Sequence, residues 1–454
     1  MRQTAVALMA LALVLGSAVL QAESLRDIYE LALENDAQLK AEEAQYLANL
    51  ETENLSRSRL LPQVNGNYSY TDSDSDVNAI SPAFSESGFE TIKTFSNTDI
   101  TTEGYQLSLN QALFDLPAWF SFQSGKEFTK QAEATFAANQ QNLIVRVVEA
   151  YLLVLRAQDN LEASKAQERA FERQLEQTQQ RFEVGLIAIT DVYEAQAAYD
   201  LSQVNRIVDE NNVSVALERL SVLTGRSHDN LDILKEDIEI KLPEPADRAA
   251  WVDFALENNF NLLAAKYAEE AARQAAKASQ LEHAPKVSGL VAYEDYETDG
   301  DLTRRPSTGL DVAPDRDTED QLWQIRLDLP LYSGGAISAN RRRAAQEFNA
   351  ARENRINLAR NTVTNTRSLH MTVISDVARV AARKQSIVSS RSALDATQAG
   401  YEVGTRNVVD VLNFQTTLFA AERDYYNSRY DYIINMLRLK EQAGLLSPED
   451  VYNL

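Results

Sequence analysis

Between residues 143 and 161, apolar side chains recur at three- and four-residue spacing: Leu143, Val147, Ala150, Val154, Ala157 and Leu161. This is the seam of a coiled coil, a helix packed along its length against others. It lies in a stretch from Pro117 to Phe182 with no second proline and only Gly125, so the pattern predicts a single helix over 117–182. A matching stretch predicts a helix over 336–401, with Val373, Val377, Val380, Ile387 and Leu394 on a seam interrupted by Lys384 and Arg391. At a rise of about 1.5 Å per residue each helix is about 100 Å long, beyond the span of a globular domain. Shorter helical stretches are expected over 24–60, 188–224, 246–283 and 407–443.

Four segments alternate with a period of two: 62–72, 103–114, 285–294 and 321–332. Val64, Tyr68 and Tyr70 share one side, with Asn65, Asn67 and Ser69 on the other. Trp323, Ile325, Leu327, Leu329 and Leu331 share a side opposite Gln324, Arg326 and Asp328. These are half-buried strands, and their length and aromatic ends suit a membrane β-barrel. A soluble sandwich gives the same alternation. The polar stretches 72–103 and 294–320 between paired strands are expected to be exposed loops.

The chain is doubled. Residues 175–225 align without a gap on 394–444, with Glu183, Val184, Gly185, Asp191 and Val192 matched by Glu402, Val403, Gly404, Asp410 and Val411. LALEN (31–35) matches FALEN (254–258), Pro62 matches Pro285, and Phe114 falls on Tyr332. Internal repetition of this order predicts two tandem copies of one unit. The first is 23–225, with a turn at 183–187. The second is 246–444, with a turn at 402–406. Residues 226–245 are then a linker and 445–454 a terminal segment, both placed in a collar near mid-height.

Composition narrows the chemistry. With 67 Asp and Glu against 44 Lys and Arg, the formal charge of −23 argues against nucleic acid as a partner. The absence of cysteine removes disulfides, thiolate zinc sites and cysteine nucleophiles, and with them an N-terminal lipid anchor. His228, His283 and His370 fall on different elements and give no metal site. Gly334 and Gly335 open a helix after a strand, but no Lys-Ser/Thr follows to make a nucleotide loop. The Asp-rich stretches 72–76 and 294–301 lack the ligand spacing of a calcium loop. No cofactor is expected. The apolar run at 5–20 reads as the core of a signal peptide, 1–22, cut after Ala22. A retained anchor is the competing reading. Trp119, Phe120 and Phe122 are either interfacial anchors or packing below the strands.

Four strands cannot close a barrel in lipid, so several chains must pool them; two or three satisfy the arithmetic. The strings RFEVGLIAITDV (181–192) and GYEVGTRNVVDVL (400–412), with LPLYSGG (329–335), closely resemble the TolC-type outer-membrane channels of drug efflux and type I secretion. The resemblance covers the whole mature chain. It implies a mainly α fold with membrane β: a homotrimer whose 12-stranded β-barrel continues into a 12-helix periplasmic α-barrel. It further implies no enzymatic activity, an outer-membrane lipid environment, a periplasmic adaptor, and an inner-membrane RND or ABC transporter as partners. Drugs, bile salts, dyes, siderophores and protein toxins are the cargo of the family.

The resemblance also places a gate at the helical tips, with Thr190 and Asp191 on the first and Tyr401 and Arg406 on the second. It implies that Asp191 accepts bonds from Tyr401 and Arg406, and that Thr190 also meets Arg406. Asp410 matches the aspartate ring that narrows the pore, and the second aspartate of that ring is replaced by Asn413. Gly185 and Gly404 read as turn residues needing positive φ. The simpler alternative makes Asp191 and Asp410 helix N-caps. The rival function is a soluble periplasmic coiled-coil adaptor or chaperone, which leaves the membrane-like strand faces without purpose.

Overall fold

The computed structural model describes residues 22–85, 88–233, 239–305 and 314–454. The expected signal peptide lies outside these residues apart from Ala22, as does part of the 226–245 linker. In order, the elements are α1 (Leu25–Asn35), α2 (Ala37–Ser58), β1 (Gln63–Ser85), β2 (Gly88–Phe114), α3 (Leu116–Glu183) and α4 (Ile189–Thr224). The same succession follows again: α5 (Arg248–Asn258), α6 (Phe260–Gln280), β3 (Lys286–Arg305), β4 (Arg316–Asp328), α7 (Ala336–Glu402) and α8 (Val408–Gln442). A short α9 (Pro448–Tyr452) ends the chain. Among the described residues, no helix is long and apolar enough to cross a membrane.

Two helices expected to be continuous are broken. The stretch 24–60 divides at Asp36, and 246–283 divides at Asn259. Both residues leave the helix in extended conformation, with ψ of 112° and 116°. Each then caps the next helix: Asp36 Oδ1 accepts from the Leu39 N–H, and Asn259 Oδ1 from the Leu262 N–H, both at 2.9 Å. A short polar side chain thus replaces the backbone acceptor that the break removes.

The stretches 72–103 and 294–320, expected to be loops, are largely strand. β1 and β2 form a hairpin paired from Gln63↔Asn110 to Ser85↔Gly88, and β3 runs to Arg305 while β4 starts at Arg316. The last strand ends at Asp328 rather than at 332, just before Leu329-Pro330, where proline removes a ladder donor.

By contact the chain forms two compact units, and these are not the two sequence repeats. Of the described residues, one comprises those within 22–48, 131–266 and 353–454, the other those within 49–130 and 267–352. Both repeats contribute to both units. In the first unit the core gathers Ile28 and Ala32 of α1 around Leu143, Val147, Val148 and Leu152 of α3, with Leu220, Val373 and Leu439, all almost fully buried. The buried Tyr151 ties the start of the chain to the linker, donating to the carbonyls of Asp232 at 2.6 Å and Glu23 at 3.2 Å. Charged pairs bridge the helices outside that core: Arg156 with Asp431, Arg438 with Glu149, and Arg383 with Asp424. Arg391, which interrupts the α7 seam in sequence, reaches Glu422 at 2.9 Å.

The second unit holds one antiparallel sheet in the order β1-β2-β3-β4. Opposed residues share a face, so Val64, Leu109, Val291 and Trp323 form one row across all four strands. This face leaves large apolar groups bare: Val64 is 70% exposed, Trp323 76% and Ile325 78%. A contiguous surface of this kind in a protein of mean hydropathy −0.35 needs a covering phase, and lipid suits it. Towards the hairpin ends the same face turns acidic, with Asp74 opposite Asp99 and Asp99 opposite Asp301. Tyrosines mark the change. The rings of Tyr105 and Tyr293 lie 6.0 Å apart, while the Tyr68 and Tyr293 hydroxyls donate to Glu103 and Glu319 at 3.2 and 3.1 Å. An apolar ring with a polar tip suits such a boundary.

Candidate functional site

The two helical turns that join α3 to α4 and α7 to α8 have the same backbone. Gly185 and Gly404 sit at φ +75° and +80°, positions open enough that no neighbouring atom lies near a would-be Cβ. At the first turn the Leu186 N–H donates to the Arg181 carbonyl and the Gly185 N–H to that of Phe182, both at 2.9 Å. At the second the Thr405 N–H donates to the Gly400 carbonyl at 2.8 Å and the Gly404 N–H to that of Tyr401 at 3.2 Å. Each is a Schellman closure, in which a left-handed glycine lets the chain return bonds to the orphaned carbonyls of the last turn.

The returning helices start differently. α8 is capped by Asn407, whose side chain accepts from the Asp410 N–H at 2.8 Å. At the matching place α4 has Ala188, which makes no side-chain cap bond. Asp191 and Asp410 are therefore not the N-caps of the simpler reading. Each lies in the first helical turn, three residues past the cap, where a carboxylate faces the positive end of the helix dipole. Asn407 escaped the sequence reading, although Asn followed three residues later by Asp, just after a glycine turn, is the pattern of a helix start.

Of the expected site residues, the structure joins Arg406 to Asp410, with Nη1 3.7 Å from Oδ2. Thr190 lies beside Asp191, its hydroxyl 3.5 Å from Oδ1. Within one chain Asp191 makes no hydrogen bond or ion pair with Tyr401 or Arg406, and Thr190 makes none with Arg406. Tyr401 is buried to 5% exposure in a small cluster with Phe171, Val408, Val411 and Leu412. Its hydroxyl, also buried, has no hydrogen-bond partner among the described residues. What holds Tyr401 is Arg181 of the first tip. That guanidinium lies over the ring, 4.6 Å from the centroid, and its Nη1 donates to the Tyr401 carbonyl at 3.5 Å. In sequence, Arg181 of RFEVGLIAITDV carries no mark of a role; only the fold brings it to Tyr401, 220 residues away.

Beside this cluster is an open cavity of about 430 Å³ between α3, α4 and α8. Phe171, Leu201, Val409 and Leu412 supply its apolar wall, and Gln167, Asn205, Asn413 and Thr416 its polar one. Asn413 thus lines the cavity one helical turn beyond Asp410. Among the described residues no group of three or more histidines and carboxylates is arranged to hold a metal ion. His228 is instead held between the Thr224 hydroxyl and the Glu23 carboxylate.

The chain is 34% identical over 438 residues to the outer membrane protein TolC of Vibrio cholerae serotype O1, covering 96% of this chain and 94% of that one. It is 30% identical over 434 residues to the alkaline protease secretion protein AprF of Pseudomonas aeruginosa, covering 94% and 85%. Its fold matches the crystal structure of the outer membrane protein VceC from Vibrio cholerae with a TM-score of 0.73, at 16% identity and over 92% and 96% of the two chains. The outer membrane efflux protein model matches twice, over residues 28–226 and 251–445. With the doubled helix–sheet unit and glycine-closed tips, these matches place the chain in the outer membrane efflux protein family.

Proposed function

We propose that this chain is the outer-membrane exit duct of tripartite drug efflux and of type I protein secretion. It is a transport channel of the outer membrane that extends into the periplasm, not an enzyme. The observation that carries the reading is the sheet with one bare apolar face, followed along the chain in each repeat by a helix of 67 or 68 residues. A soluble adaptor or chaperone has no use for that face.

In the full reading, three copies pool twelve strands into a barrel and twelve helices into a periplasmic tunnel, as the economy of closed symmetry favours. A periplasmic adaptor links the tunnel to an inner-membrane RND or ABC transporter. The tips form the gate, with Thr190, Asp191, Tyr401 and Arg406 holding it closed and Asp410 and Asn413 lining the narrowest part. Its support is that all six lie at or just beyond two turns closed in the same way by a left-handed glycine, and that the buried Tyr401 hydroxyl has an acceptor still to find. An acceptor on a neighbouring copy satisfies it. A gate held by such few polar links opens when a partner binds the open form better.

The reading is tested by fractionating membranes and measuring mass and conductance. Recovery in the outer membrane, a detergent-corrected mass of three chains by light scattering, and ion conduction in planar bilayers are the expected results. A monodisperse monomer that still conducts would overturn the pooled barrel.

A further inference from the structure

Among the described residues the sheet ends in two open edges, β1 and β4, each hydrogen-bonded on one side only. In lipid such an edge leaves a row of backbone donors and acceptors without water or protein, so it must meet another strand. The chain itself carries a template for that meeting. In the first hairpin Val64 faces Leu109, and in the second Val287 faces Leu327. The first strands of the two hairpins are therefore related by an offset of 223 residues and the second strands by 218, the offsets at which Pro62 matches Pro285 and Phe114 matches Tyr332. The hairpins are the same object in the same register.

Between them, β2 and β3 join the second strand of one hairpin to the first strand of the next, pairing Leu109 with Val291. A junction between β4 and the β1 of another copy is of the same kind. Carrying the register across by the two offsets turns Leu109 into Leu327 and Val291 into Tyr68. We infer that β4 pairs antiparallel with the β1 edge of a second copy, with Leu327 opposite Tyr68 of the partner subunit. Ile325 then faces Tyr70 of the partner subunit, and Arg326 faces Ser69 of the partner subunit.

The faces agree without adjustment. Leu327 and Ile325 lie on the apolar side of β4, and Tyr68 and Tyr70 share the apolar side of β1 with Val64. A slip of one residue would set an apolar side chain beside Ser69 and turn one strand's apolar set inward, so the two-residue period rejects it. Slips of two residues keep the faces, and it is the repeat that selects among them. This inference rests on the pooled-barrel reading and adds its register.

The test uses the natural lack of cysteine. Two double variants put cysteines at in-register positions of the polar face: Arg326→Cys with Ser69→Cys, and Gln324→Cys with Thr71→Cys. Two controls reassort the same cysteines out of register by two residues: Arg326→Cys with Thr71→Cys, and Gln324→Cys with Ser69→Cys. Outer-membrane vesicles are oxidised with copper phenanthroline and analysed on denaturing, non-reducing gels, with maleimide labelling of each single variant to show that every cysteine reacts. A link within one chain is excluded because β1 and β4 lie about 14 Å apart across two intervening strands. In-register pairs fall within the Cα separation a disulfide spans, whereas shifted pairs do not, so the in-register pairs should link to covalent dimers and trimers at least about tenfold faster. Faster linking of the shifted pairs, or no linking in a protein that light scattering shows to be trimeric, overturns the register while leaving the trimer intact. A monomer by light scattering overturns both.

Discussion

The guanidinium of Arg181 lies over the ring of Tyr401, 4.6 Å from its centroid, and ties the end of α3 to the end of α7. The two tips of one chain are thus joined by a cation–π contact and a bond to a carbonyl, not by the aspartate on which the family resemblance centres. The buried Tyr401 hydroxyl contributes nothing to this link within the chain.

Separate effects are expected from the two residues. Arg181→Ala removes the cation over the ring, worth about 0.5–1 kcal/mol at a partly exposed site, together with the bond to the carbonyl. It should raise single-channel conductance by loosening the second tip. Tyr401→Phe leaves the stacking in place and deletes only the hydroxyl. If that hydroxyl finds its acceptor on a neighbouring copy, conductance rises in Tyr401→Phe as well, and the two changes are close to additive. Conductance of the two single variants and the double variant in planar bilayers decides it; no change in Arg181→Ala would assign the contact to packing alone.

Arg406 and Asp410 are four residues apart and face each other at 3.7 Å, with side chains 57% and 33% exposed. The expected gate residue therefore partly neutralises the expected pore carboxylate. Arg406→Ser should unmask Asp410 and raise cation selectivity, whereas Asp410→Ala should lower selectivity and weaken block by trivalent cations. Asn413→Asp should strengthen that block. An exposed pair of this kind is worth less than about 1 kcal/mol, and at 1 M salt the screening length is about 3 Å, so all three effects should fade there. Reversal potentials and blocking constants at two salt concentrations are the measurement. Equal selectivity in the wild type and Asp410→Ala would place the residue away from the constriction.

The second tip has a cap that the first lacks. Asn407→Ala should cost about 1 kcal/mol locally, and Ala188→Asn should stabilise the start of α4 by a similar amount. Amide hydrogen exchange over 189–192 and 408–411 reads both. If exchange at 408–411 is unchanged in Asn407→Ala, the 2.8 Å bond to the Asp410 N–H does not hold the helix start.

How far the sequence spoke for itself differs between elements. The long helices were legible because proline and glycine are missing from them and the seam repeats. The outer parts of the hairpins were not, because there the period of two persists in Asp72, Asp74 and Asp76 against Ser73 and Ser75 without an apolar face to reveal it. The breaks at Asp36 and Asn259 carry neither glycine nor proline, so only the repeated LEN preceding both residues hinted that the same event happens twice. At the tips, residue types and turns could be read, but partners could not. Arg181 meets Tyr401 because the ends of α3 and α7 converge, which a string of residues does not contain; Arg406 and Asp410, four residues apart, are the one pair whose spacing alone allowed the contact.

Burial supplies a pH dependence remote from the gate. Glu441, near the end of α8, accepts from the Asn142 amide at 3.4 Å. Its pKa is raised above the ordinary 4.5, chiefly by burial and further by Glu149, against the opposing pull of Asn142 and Arg438. A carboxyl whose pKa is higher folded than unfolded favours the folded state while it stays protonated. Its contribution is therefore full below about pH 4.5 and is lost as pH rises through the raised folded value. At neutral pH the folded protein carries a partly buried carboxylate that the unfolded chain solvates fully. Glu441→Gln keeps the shape and the acceptor for Asn142 but removes the charge. It should raise the melting temperature at pH 7, and the gain should vanish as pH is lowered below 4.5, where wild type and variant are both neutral at this position. Melting curves of the two proteins between pH 4 and pH 8 test this. A gain of equal size at every pH would assign the effect to packing or hydrogen bonding, and a loss at pH 7 would mean that the attraction of the Arg438 charge and the Asn142 bond outweigh the cost of burial.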